Sequence, residues 1–335
     1  MVGRRSLITG VFVAGVAAAA WAQAPAGQPP AAPAGGAQGR GGAGRGGGRG
    51  GGGGIFGASP FTPEPGAKDI KSVLFNWTWH MGMLRSGDEA ELIKTLDYYG
   101  ESGTIQVNGQ PCALSKYHVQ ANYQVPGWRT QIECKLPNGT TYKNVEVVSD
   151  TYAWDEDIPG AELVPGKGKA TPKPAALQER LIRLWASPHG APKAAIAGAV
   201  GLPPAESFGK NPAVLFDRQA AAGAKPTTMM TWQGDKAIFT FPIPGVPGAI
   251  ATATLDSGFL PERVVVKQGT NTTEFVYSNY QDFNNPLFKI EALYPASLIE
   301  RKNGTVVRDI KSKVTEIGQV YVIMPVPDSV QKAGK

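Results

Sequence analysis

The sequence predicts an α+β fold, mainly β, in which a large antiparallel sheet wraps around helices. Three observations predict it. Between 117 and 317 short runs alternate apolar and polar residues; Gly, Pro and Asn turns separate the runs; and a single clearly amphipathic helix interrupts them. The clearest run is a hairpin. Tyr117, Val119, Ala121, Tyr123 and Val125 alternate with His118, Gln120, Asn122 and Gln124, and past Pro126-Gly127 the residues Trp128, Thr130, Ile132, Cys134 and Leu136 alternate with Arg129, Gln131, Glu133 and Lys135. Side chains change face at every residue of a strand, so one face of such a hairpin must meet a core.

The elements follow in order. In 69–85 two periods compete: Phe75, Trp77, Trp79, Met81 and Met83 alternate as in a strand, while Phe75-Trp79-Met83 and Val73-Trp77-Met81 fall on adjoining helical faces. Gly87-Asp88 sets this stretch apart from the strand-like 92–99, which decides for a helix. A long first strand is expected over 92–107, kinked at Gly100 or Gly103, and Asn108-Gly109-Gln110-Pro111 turns it into the hairpin above. Pro137-Asn138-Gly139 leads to a strand over 142–147, and Ser149-Asp150 to another over 151–154. The Pro, Gly and Lys content of 158–173 marks a loop, and Pro174 suits the first turn of a helix. There Leu177, Leu181, Leu184 and Trp185 recur at i, i+4, i+7 and i+8, with Arg180 and Arg183 pointing away and Glu179 placed to pair with Arg183. Ser187-Pro188-His189-Gly190 breaks that helix, and 192–196 makes a further turn or two. Strands return at 228–232, 237–241, 249–255, 263–267 and 272–277, and Asn303-Gly304 joins 297–301 to 305–317 as a two-residue hairpin.

Composition predicts three parts: a signal peptide at 1–24, a disordered Pro/Ala/Gly/Arg-rich linker at 25–54, and a single β-rich domain at 55–335 with no second domain after it. Arg4-Arg5 make a positive start, 7–20 is an apolar run too short to span a bilayer comfortably, and Ala20, Ala22 and Ala24 offer small residues for cleavage. Sec export and twin-arginine export both stay open. Residues 25–54 have too little apolar surface to offset the entropy of ordering. Most of the +6 net charge lies here: residues 1–54 hold five arginines and no acidic residue, leaving 28 basic against 27 acidic residues in the rest. A nearly neutral folded part does not imply a nucleic-acid partner. Cys112 and Cys134 are the only cysteines, and an oxidising compartment makes one disulfide the default, contributing about 3 kcal/mol on the chain-entropy model. The expected location is periplasmic or secreted, without a transmembrane segment in the mature chain.

No catalytic constellation stands out. His80, His118 and His189 are the only histidines, and none lies at ligand spacing from another His or a Cys. Asp155-Glu156-Asp157 could take a hard cation, but three adjacent acids with no further ligand pattern read as a solvated loop. There is no G-x-S-x-G elbow, P-loop or dinucleotide fingerprint. The expectation is no catalytic residue, no metal and no cofactor. A hydrolase using Asp155, Glu156, Asp157 or His189 stands last, because distant residues would have to converge within hydrogen-bond reach.

The order of parts resembles the lipoprotein-carrier (LolA/LolB-like) superfamily: an early helix, long strands, the strand Tyr152-Ala153-Trp154, an inserted helix, and a second meander ending in Tyr277-Ser278-Asn279-Tyr280-Gln281-Asp282-Phe283 and Arg308-Asp309-Ile310. It is similar also to uncharacterised exported bacterial proteins that share the stretches around Met81-Gly82-Met83-Leu84-Arg85, Gly109-Gln110-Pro111-Cys112 and Leu184-Trp185-Ala186-Ser187-Pro188-His189-Gly190. Similar regions precede the hydrolase domain of some exported metallo-β-lactamase-fold proteins, whose His-x-His-x-Asp-His ligands are absent here. The resemblance covers about 68–330 and implies a curved antiparallel half-barrel covered by two or three helices, with a concavity for acyl chains or lipoproteins. The superfamily's lid-locking arginine cannot be placed on any residue.

The expected function is therefore that of an exported binding protein holding a lipid, acyl chain or other hydrophobic small molecule in the concavity. Its candidate lining residues are Trp77, Trp79, Met81, Met83, Leu181, Trp185, Phe239 and Phe241. The alternative is an envelope sensor or protein-interaction module that meets an envelope protein through a sheet edge or the convex face, without bound ligand.

Overall fold

A computed structural model describes residues 61–84, 93–202, 215–216, 223, 225–282, 292–317 and 322–333. The expected signal peptide and linker lie outside the described residues. The strands are β1 (Thr95–Val107), β2 (Gln110–Asn122), β3 (Gly127–Lys135), β4 (Thr141–Ser149), β5 (Tyr152–Glu156), β6 (Ala170–Pro172), β7 (Met229–Gln233), β8 (Lys236–Pro242), β9 (Ala249–Leu255), β10 (Pro261–Gln268), β11 (Asn271–Asp282), β12 (Leu293–Lys302) and β13 (Thr305–Ile317). The helices are α1 (Ile70–His80), α2 (Leu177–Ala186), α3 (Gly190–Val200) and the short α4 (Asp328–Ala333).

Local turn chemistry sets the strand pairing. Asn108, Gly109, Asn303 and Gly304 take φ of 50°, 76°, 47° and 84°, the left-handed pair that a tight hairpin requires and that Asn and Gly adopt at least cost. These turns close β1 onto β2 and β12 onto β13. All 13 strands join one antiparallel sheet in the order β6-β5-β4-β3-β2-β1-β13-β12-β11-β10-β9-β8-β7. Two meanders of sequence neighbours are thus sewn together by one long-range pairing, β1 with β13, in which Leu96 faces Ile317 and Ile105 faces Arg308. The expected kink in β1 is real: the register slips between Asp97 and Tyr98 and again between Gly100 and Ser102. At Gly103 a Cβ would stand 2.1 Å from the Asp309 carbonyl oxygen, so only glycine permits the close approach.

The sheet is open and strongly curved. Four strand spacings separate β4 from β13, about 19 Å across a flat sheet. Yet Arg308 of β13 donates to Glu146 of β4 at 2.9 Å, which only a deep curl allows. The concave face and the three longer helices share one large core that includes Leu96, Tyr98, Val119, Trp128, Val264 and Phe275. A second, small core lies on the other face, where Val322, Met324 and Val330 cover Val145, Val147 and Trp154. Among the sheet's edges, β6 ends in Pro172, which has no N–H to offer a neighbour. No described helix is long and apolar enough to cross a membrane.

Candidate functional site

Placement of the candidate lining residues starts with α1. Asp69 caps it by accepting from the Ser72 amide at 2.9 Å. Successive residues turn 100° on a helix, so Trp77 and Trp79 stand about 160° apart and cannot share a core face. Trp77 is fully buried with its ring 5.2 Å from that of Phe239 on β8, whereas Trp79 is 44% exposed and stacks on Phe75. Met81 and Met83 follow the helix into the core, and Leu181, Trp185, Phe239 and Phe241 are buried in the same cluster. The structure therefore brings together seven of the eight candidates and turns Trp79 outward. The described cavities lie elsewhere. One of about 270 Å³ is bounded by Val125, Gly127, Ile323 and Met324, one of about 250 Å³ by Tyr152, Pro172 and Val330, and one of about 300 Å³ by Lys143, Lys169 and Lys173 with Asp155 and Asp157.

The break between α2 and α3 is a built elbow. Ser187 donates its hydroxyl proton to the Leu184 carbonyl (2.7 Å) and accepts from the Gly190 amide (3.1 Å). With that proton committed, the 3.0 Å contact to Tyr123 is one in which Tyr123 donates. A Cβ at Gly190 would sit 2.0 Å from the Leu184 oxygen. On the far side of the elbow Tyr277 donates to the Ala186 carbonyl (2.6 Å) and His189 Nε2 to the Leu293 carbonyl (3.0 Å). Burial pushes the His189 imidazole down to about 4, so it is neutral at physiological pH. In α3, Lys193 Nζ donates to the Ile93 carbonyl at 2.8 Å and lies over the Tyr123 ring, and burial pushes its ammonium well below the usual lysine range. Helix α3 runs through Val200, well past the expected turn or two, because Pro192 falls in its first turn, where the missing N–H costs nothing.

Arg180 and Arg183 correct the sequence expectation: both are buried, not pointing away. Helix α2 lies inside the curl, so its charged side meets protein as its apolar side does. Arg180 donates to the carbonyls of Val147 (2.8 Å) and Trp154 (2.6 Å) and to Asp155. Arg183 pairs with Glu300 of β12 at 3.0 Å, with Glu146 of β4 at 3.5 Å and, as expected, with Glu179. Arg308 reaches Glu146, Glu300 and the Tyr117 hydroxyl, the last at 3.1 Å. Burial alone would raise the Glu146 carboxyl, but Arg308 and then Arg183 outweigh it and hold it down at about 2. This charged belt bolts α2 to both limbs of the curled sheet. Sequence reasoning missed it, although a signal existed: Glu300 falls in phase with Leu298 and Arg308 with Ile310, on the apolar beat of their strands.

The residues considered for catalysis or metal binding are occupied otherwise. Asp155-Glu156-Asp157 is not a solvated loop: Glu156 is buried at the end of β5, accepting from Arg129, the Trp154 indole and the Gly160 amide. Asp157 accepts from the Lys169 amide at 2.7 Å. His118 lies under Tyr99 with its Nε2 2.9 Å from the Asp97 carboxylate, and His80 stacks on Phe259. Among the described residues no three His, Cys, Asp or Glu side chains are grouped to hold a metal ion. Cys112 and Cys134 form the expected disulfide between β2 and β3, a bond suited to an oxidising compartment.

Comparison with family models and with curated proteins finds no match. Among solved structures, the chain is similar to the crystal structure of a LolA superfamily protein from Nitrosomonas europaea, with a TM-score of 0.36 and 10% identity over 79% of this chain and 97% of that one.

Proposed function

We propose that this is an exported, periplasmic or secreted binding protein that holds a lipid, an acyl chain or another hydrophobic small molecule between the concave face and its helices. The observation that carries this reading is a division of labour among those helices. Helix α2 is fastened by charge to β4, β5 and β12, and Arg308 of β13 joins the same belt through Glu300. The inner face of α1 and the turn after it, by contrast, present Val73, Leu74, Trp77, Met81 and Met83 to an apolar cluster. An apolar ligand can replace such contacts like for like, with no charge left buried and unpaired, and Met adapts its shape to many partners. The disulfide supports the exported location. Native mass spectrometry of the protein purified from its own host should show a bound apolar mass that organic extraction releases. A protein that carries no such mass and takes up none after extraction overturns the reading.

The close packing of the seven buried candidates favours a second reading, that of an interaction module without ligand. Its surface would be the outer edge of β7, where Met229 is 66% exposed and an extended segment could add as a further strand. Pull-down from envelope extracts separates the two: a stoichiometric protein partner and no lipid favours the module.

A further inference from the structure

Three indole N–H groups among the described residues find acceptors. Trp128 donates to Thr130 (2.9 Å), Trp154 to Glu156 (2.9 Å) and Trp232 to the Lys68 carbonyl (3.2 Å). The neighbouring helix polar group, the Thr78 hydroxyl, lies 3.0 Å from the Leu74 carbonyl and 2.9 Å from that of Phe75. Trp77 breaks this pattern. Its side chain is fully buried, and its Nε1 has no hydrogen-bond partner among the described residues. A buried donor without a partner forfeits the hydrogen bond that water gives it in the unfolded chain, so native structures contain few of them.

Apolar pockets commonly hold their ligands through a small number of polar groups that set orientation. Indole nitrogen can only donate, so the matching ligand atom is an acceptor. An ionised carboxylate would be costly there, because burial disfavours an unpaired charge and the ring packed on Trp77, that of Phe239 at 5.2 Å, offers it no donor. We propose that Trp77 is the specificity-determining residue of the concavity, donating its indole N–H to a neutral carbonyl or ester oxygen on an otherwise apolar ligand. This rests on the ligand-holding reading above and goes beyond it. It selects an oxygen-bearing chain over a plain hydrocarbon, and an ester over a free acid.

The test uses delipidated full-length protein and three probes of equal chain length delivered from cyclodextrin: methyl palmitate, palmitic acid and hexadecane. Methyl palmitate should bind about tenfold more tightly than hexadecane, the worth of one otherwise unmade buried hydrogen bond. It should also bind more tightly than palmitic acid at neutral pH. Methyl palmitate should move the Trp77 indole N–H proton resonance downfield, and hexadecane should not. Trp77→Phe keeps an aromatic ring without the donor, and should bind both at similar strength. Should that variant fail to fold, the wild-type preference and resonance shift decide the matter alone. Equal binding of ester and alkane by the wild type, or a preference that survives in Trp77→Phe, overturns the role of Trp77 and leaves ligand holding intact. Binding of none of the three probes overturns both.

Discussion

Arg183 is the residue on which the charged belt turns, because its guanidinium fork meets carboxylates from three directions. Removing one member of a buried ion network leaves the others charged and unpaired. Arg183→Met should therefore cost about 3–5 kcal/mol in urea denaturation, while the double change Arg183→Met with Glu300→Leu should recover much of that loss. Lysine is not an equivalent substitute, since it offers a point charge where three carboxylates need a fork. Acid acts in two windows, one at the elbow between α2 and α3 and one at the charged belt. His189 is held neutral with a folded value near 4 against 6.5 unfolded, so the unfolded chain binds its proton first and stability falls as pH drops from 6.5 to 4. Glu146 has a folded value near 2 against 4.5, so its contribution is complete above 4.5 and disappears as pH falls through 2. Denaturation midpoints across this range should decline in both windows. His189→Gln should flatten only the upper one, whose depth is up to about 3 kcal/mol.

Among elements, the β2–β3 pair carries the disulfide, closing a sequence separation of 22 residues. Replacing both cysteines by serine should lower stability by about 3 kcal/mol, with retention of the strand signature in circular dichroism, because turn and register are set independently of the sulfurs. The strands were legible because alternation and Asn-Gly turns are local properties: 249–255 and 305–317 match β9 and β13 residue for residue. Helix α1 was decided correctly, yet the pairing of Trp77 with Trp79 was not, since a list of alternating aromatics ignores their angular separation on a helix. In α2 the periodicity located the helix and misjudged its polar side. A 3.6-residue period reports where apolar residues lie, and it assumes that the opposite face meets water.

At the scale of the molecule, one small core sits outside the main one, where the segment at 322–330 covers Val145, Val147 and Trp154 on the far side of β4 and β5. Truncation before Val322 should uncover that surface, raising binding of a hydrophobic dye and lowering the thermal midpoint. An unchanged melt would show that the segment is dispensable. By itself the sequence determined all the described antiparallel strands but β6, which falls in the expected loop at 158–173, together with their hairpin turns, the positions of α1 and α2, the cysteine pair and most of the apolar residues packed in the interior. Each of these depends on a few neighbouring residues. Only the tertiary structure decided which strands the expected curl brings together, β4 against β13, the burial of Arg180 and Arg183 within it, and the isolation of the Trp77 indole. The physical reason is distance along the chain: Glu146 and Arg308 meet across 162 residues, and no local period reports which charges a curved sheet will bring together.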